Sequence, residues 1–77
     1  EAYRGQMAAV AARLEKVVRH VPGVTLEYKG PIVALHTRAA ASEDAVWSRF
    51  QLLSAAADLV NSASVRALRG RDVLELL

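Results

Sequence analysis

The stretch Val24-Thr25-Leu26-Glu27-Tyr28-Lys29-Gly30-Pro31-Ile32-Val33-Ala34-Leu35-His36-Thr37-Arg38 decides the fold. Its first six residues alternate. Val24, Leu26 and Tyr28 take one side and Thr25, Glu27 and Lys29 the other, the period of two that a half-buried strand requires. Gly30-Pro31 is a turn signal, and Ile32 to Arg38 reads as a second strand. Strands this close in sequence form an antiparallel hairpin, with Pro31 at a strand start, where a missing N–H is tolerated.

On the N-terminal side, Glu1 to about Val21 reads as a helix. Met7, Val10, Ala11, Leu14, Val17, Val18 and Val21 recur at spacings of three and four and share one face. Pro22-Gly23 ends it, and His20 suits the negative end of the helix dipole. On the C-terminal side, Ser42 reads as an N-cap, followed by Glu43 and Asp44 at the positive end of a second helix that runs to about Asn61-Ser62. Its expected core stripe is Val46, Trp47, Phe50, Leu53, Ala57 and Val60, which makes Trp47 and Phe50 packing residues rather than a ligand-stacking platform. Val65 to Leu68 reads as a third strand, Arg69-Gly70-Arg71 as a tight connection and Asp72 to Leu77 as the last strand. Helix, strand, strand thus occurs twice. The order αββαββ predicts an α+β two-layer sandwich, a four-stranded, mainly antiparallel sheet with two helices on one face.

Composition narrows the function. Seventy-seven residues make one domain, and a chain this short buries only ~60% of its unfolded surface, so its core is thin. With no cysteine there is neither a disulfide scaffold nor a thiolate metal site, which fits a reducing compartment; a cytoplasmic location is the expectation. No apolar run approaches the ~20 residues of a membrane helix, and no signal peptide is visible. The first residue is not Met and the sequence starts directly in a helical pattern, as in an excised fragment. The net charge of +2 comes from basic residues spread along the chain, unlike the concentrated patch that nucleic-acid binding needs.

Two helices cover one face of a four-stranded sheet and leave the other open. If they cover the apolar sets, the open face carries Glu27, Lys29, His36, Arg38 and Glu75, and Arg71, at the turn before the last strand, can join them. Sugar hydroxyls both donate and accept, so a polyol site needs carboxylates beside Lys or Arg. The same residues also suit an ordinary solvated face with weak cross-strand ion pairs. Catalytic constellations are missing. His20 and His36 are the only histidines, so no convincing metal site exists; Asp44, Asp58 and Asp72 form no Asp-x-Asp pair; and no Gly-rich phosphate loop appears. Ser42 lacks the partners of a nucleophile. Glu27 and Glu75 as a glycosidase pair are disfavoured, because an open sheet excludes little water.

The run Pro22-Gly23-Val24-Thr25-Leu26-Glu27-Tyr28-Lys29-Gly30, with Ala34-Leu35-His36-Thr37-Arg38, resembles the trehalose-6-phosphate phosphatase pattern of Pro-Gly, Glu-x-Lys and Ala-Leu-His-Tyr-Arg. Gly70-Arg71-Asp72-Val73-Leu74-Glu75-Leu76 resembles that family's Gly-Lys-x-x-x-Glu-Leu ending, so the likeness spans nearly the whole chain in order. These enzymes belong to the haloacid-dehalogenase superfamily: a Rossmann-like core bears Asp-x-Asp and Mg2+, and a mobile αββαββ-type cap closes over it. The resemblance implies that residues 1–77 are the cap of a Mg2+-dependent phosphatase that converts trehalose 6-phosphate to trehalose in trehalose biosynthesis. The core domain of the same chain is its implied partner and trehalose 6-phosphate its ligand. No catalytic residue or cofactor is expected in this segment, which is then inactive alone. Glu27, Lys29 and Glu75 match positions implied to contact glucose hydroxyls, and His36 and Arg38 match second-strand positions that shape the sheet. Thr37 replaces a Tyr, and Arg71 replaces a Lys whose geometry it does not reproduce. Two alternatives stand beside this: a cap for another sugar phosphate, and a free-standing α+β module that binds a ligand or a protein.

Overall fold

The computed structural model describes residues 2–62 and 64–77, with side chains from Gly5 onward. Helix α1 spans Ala2–Val18, strands β1 and β2 span Thr25–Lys29 and Ile32–His36, and helices α2 and α3 span Ser42–Ala55 and Ala57–Asn61. Strands β3 and β4 span Ala67–Gly70 and Val73–Leu76. The expected helix start at Glu1 lies outside the described residues. The sheet order is β1-β2-β4-β3, antiparallel throughout. The α+β sandwich read from the sequence is therefore the fold, with three helices in place of two.

Register sorts the two faces. Leu26, Leu35, Leu74 and Arg69 lie abreast, as do Tyr28, Val33, Leu76 and Ala67. These rows face the helices, and at their centre Val33, Leu35, Leu74 and Leu76 are buried against Met7, Val10, Ala11, Leu14 and Val18 of α1. The helical layer stops short of β3, all four of whose residues are exposed. Val17, expected in the core, is largely exposed, because α1 turns it away from the sheet.

Helix α2 corrects the expected stripe. Val46, Trp47, Phe50 and Leu53 point outward, at 58%, 44%, 64% and 40% exposure. Ala45, Ser48, Leu52, Ala56 and Leu59 are buried instead. The physical reason is that Leu52, Ala56 and Leu59 join the core formed with α1, which turns the opposite side of the helix, with its bulkier residues, outward. Of the expected stripe, only Ala57 and Val60 are partly buried, and Val60 packs on the core.

Other boundaries shift by a few residues. Ser42 is the first residue of α2 and makes no side-chain cap bond; Ala41 is the N-cap. The second helix breaks at Ala56 (φ −106°, ψ 11°), and α3 ends where Ser62 Oγ donates to the Leu59 carbonyl at 3.1 Å. The third strand starts at Ala67 rather than Val65, and its connection to β4 is Arg71-Asp72, with Asp72 left-handed at φ 60°. Arg66 and Leu77 exchange backbone hydrogen bonds at 2.8 and 3.0 Å, so pairing runs one residue past the strands.

The Ser48 hydroxyl is fully buried and has no hydrogen-bond partner. An unsatisfied buried hydroxyl costs about 1–3 kcal/mol, whereas an alanine there costs nothing of the kind. Ser48→Ala should therefore stabilise the chain by about 1 kcal/mol, read as a higher urea midpoint. A lower midpoint would mean the hydroxyl is satisfied.

Candidate functional site

The face of the sheet opposite the helices is polar at its centre. One row runs Glu27, Ala34, Glu75, Leu68; the next runs Thr25, His36, Val73, Gly70; and Lys29 lies beside Ile32. Glu27 and Glu75 thus flank Ala34, two strand spacings apart, about 10 Å between backbones. Ala34 is 4% exposed, the small residue at the floor of the row.

Glu27 is held from both sides. Lys29 Nζ donates to one carboxylate oxygen at 2.9 Å and His36 Nε2 to the other at 3.0 Å. A carboxylate accepts only, so the ring presents an Nε2–H to Glu27. Hydrogen bonding from Lys29, then from His36, with the Lys29 charge adding to both, holds the Glu27 carboxyl below its ordinary 4.5. The same bond and the Glu27 charge raise Lys29 above its ordinary 10.5. A lowered acid stabilises the fold above its unfolded pKa and loses that contribution as pH falls through the folded value. A raised base contributes below its unfolded pKa and loses it as pH climbs through the folded value. The stability advantage of wild type over Glu27→Gln should therefore be level from about pH 5 to 10. It should fade on either side, as measured by urea melts across pH.

Glu75 makes no side-chain hydrogen bond or ion pair among the described residues and is half-buried on the same face, free to accept. Arg38 and Arg71 stand apart from this cluster. The second strand ends at His36 rather than Arg38, but Thr37 N–H donates to the Asp72 carbonyl at 2.9 Å and so ties the chain after β2 to the β3–β4 turn. Arg38, Arg71 and Asp72 line a shallow cavity of about 320 Å3 there, next to the His36–Val73 row. The structure thus joins Glu27, Lys29 and His36, places Glu75 across Ala34, and sets Arg38 and Arg71 together at the sheet's end. Leu68 and Ile32, both exposed, add apolar surface to the face. A third strand over Val65 to Leu68 leaves Leu68 at a strand end, whereas β3 runs to Gly70 and sets Leu68 opposite Glu75.

Among the described residues no cluster of three or more His, Cys, Asp or Glu could hold a metal ion, and no helix is long and apolar enough to cross a membrane.

The sequence pattern of the family described as trehalose-phosphatase matches residues 5–76. No curated protein sequence matches significantly. Among solved structures, the chain is similar to the C-terminal domain of trehalose-6-phosphate phosphatase from C. albicans, with a TM-score of 0.74 at 18% identity. It is also similar to trehalose-6-phosphate phosphatase from Aspergillus fumigatus, with a TM-score of 0.73 at 19% identity. In both cases 95% of this chain is covered, but only 26% and 27% of the other.

Proposed function

The chain belongs to the trehalose-phosphatase family, and on that premise we propose that it is a substrate-recognition cap, gripping a disaccharide phosphate while a separate core performs hydrolysis. The observation that carries this is Glu27, fixed by Lys29 and His36 on an open sheet face, with the unpartnered Glu75 across Ala34. Two carboxylates two strands apart, one of them beside the Lys29 ammonium, offer both acceptors and donors to sugar hydroxyls. Charge-assisted bonds of this kind are about twice as strong as neutral ones. Ile32 and Leu68 supply apolar surface for the C–H faces of a sugar ring.

Trehalose 6-phosphate is the substrate this reading favours. Arg38 and Arg71 bring positive charge to the end of the face, where an anionic group on the ligand is attracted. Closure of the cap over a core would exclude water and complete the site. The described residues do not fit a Mg2+ site, since no acidic cluster is found among them and Glu27 is already engaged. In this proposal Mg2+ and the attacking nucleophile belong to the core, in the haloacid-dehalogenase manner, and this chain's residues bind and orient.

The test is phosphate release from trehalose 6-phosphate by the longest natural protein that contains this segment, with Mg2+ and with a chelator. Mg2+-dependent release is expected. A folded protein that releases phosphate only from other sugar phosphates would move the substrate assignment. One that releases none would leave a binding module in place of a phosphatase cap.

A further inference from the structure

Strand β1 is an outer strand of the sheet. Gly30-Pro31 closes a two-residue hairpin in which Lys29 pairs with Ile32. The closing pair of such a hairpin exchanges its backbone hydrogen bonds, so Thr25, Glu27 and Lys29 turn their N–H and C=O groups towards β2. Leu26 and Tyr28 turn theirs outward, as unpaired groups of a free edge. On the helix side of that edge lies a groove of about 420 Å3 between α1 and β1, lined by Ala8, Ala11, Ala12, Leu26 and Tyr28 with the charged Glu15 and Lys16. Tyr28 is 43% exposed beside it.

We propose that this edge pairs with the β1 edge of a second copy of the chain, antiparallel about a two-fold axis at Tyr28. Outward-facing residues must oppose outward-facing residues, and three registers centre the pairing on Leu26, Glu27 or Tyr28 in the interior of β1. A two-fold axis between Leu26 and Tyr28 sets Glu27 against its own copy, and like charges directly opposite are destabilising. An axis at Leu26 sets Glu27 opposite Thr25 and leaves Lys29 without an acidic partner. The axis at Tyr28 sets Glu27 opposite Lys29 of the other copy, twice, at the close spacing of a non-hydrogen-bonded pair. Tyr28 then meets its copy on the helix side, over the two grooves. The alanines of α1 let the two helices approach at the usual 8–10 Å. A lysine on an edge strand ordinarily discourages pairing; here the matching glutamate two residues away makes one register attractive. The pairing yields a continuous eight-stranded sheet with both polar faces on the same side.

Sedimentation equilibrium of the chain should show a species at twice the 8.3 kDa of the monomer. Glu27→Lys and Lys29→Glu should each weaken it about ten-fold or more, because both cross-strand pairs become repulsive. An equimolar mixture of the two variants should associate as tightly as wild type, since one copy then presents two positive groups and the other two negative. That rescue requires both variants to be folded, and the weakening of association by Glu27→Lys separates this register from one centred on Glu27, where the wild-type glutamates already repel. Lys29→Gln should give a smaller loss, about three-fold. A wild-type monomer at millimolar concentration overturns the proposal, as does a mixture no tighter than its components. So does a dimer insensitive to the charge reversals but lost on Phe50→Ser, which would place contact on α2.

Discussion

Gly23→Ala should unfold the chain or leave it barely folded. Gly23 sits in the α1–β1 turn at φ 80°, a conformation that costs an L-residue about 1–3 kcal/mol. An added Cβ would also overlap the Ala39 carbonyl group and lie 2.6 Å from Ala40 N. Those are backbone atoms of the loop between β2 and α2, which cannot swing aside as a side chain can. Strain and overlap together exceed about 4 kcal/mol, against a total stability of roughly 4–12 kcal/mol for a chain this size. Gly30→Ala is the control. Its φ of 56° is also left-handed, but a Cβ there meets nothing within 4 Å, so the loss should be about 1–2 kcal/mol. Urea midpoints separate the two. A Gly23→Ala midpoint no lower than that of Gly30→Ala would mean that the two loops do not touch.

On the cap role proposed above, Glu75→Ala in the longer protein should lower kcat/KM for trehalose 6-phosphate about ten- to hundred-fold, the loss of one charge-assisted hydrogen bond of about 1.5–3 kcal/mol. Turnover of p-nitrophenyl phosphate should barely change, because that substrate has no sugar hydroxyls to grip. The difference between the two substrates is the readout. Glu75 has no hydrogen-bond or ion-pair partner among the described residues, so its removal breaks no polar contact that holds the sheet. Equal losses on both substrates would show that Glu75 acts on the fold or on the core instead, and the sugar-gripping role would fall.

The hairpin and α1 were legible because each carries a single unambiguous signal. Alternation flanks Gly30-Pro31, and one apolar face on α1 repeats at three and four. Helix α2 was not, because it is apolar on two sides. Val46, Trp47, Phe50 and Leu53 form the more hydrophobic side, yet Ala45, Ser48, Leu52, Ala56 and Leu59 are the buried ones. Hydrophobicity alone does not say which of two apolar sides meets the core. The polar cluster of Glu27, Lys29 and His36 was legible from alternation, since residues opposite one another in an antiparallel pair share a face. The Arg38–Arg71 cavity was only half legible. Strand periodicity ends at His36, and what brings Arg38 to Arg71 is one backbone hydrogen bond from Thr37 to Asp72, a long-range contact that no local pattern records.

The strand order β1-β2-β4-β3 sets a sequence of events for the chain as it is made. Each hairpin, β1–β2 and β3–β4, closes locally, but β4, the last of these four strands to be synthesised, takes an inner place against β2. Until it emerges, α1 and the first hairpin wait with the inner edge of β2 bare and with Val33 and Leu35 lacking their partners Leu76 and Leu74. Non-local pairing of this kind is slow to form, and exposed edges of half-made sheets recruit neighbours. Nascent chains stalled before residue 73 should therefore be the ones that aggregate or engage chaperones, and those that have passed Leu76 should not.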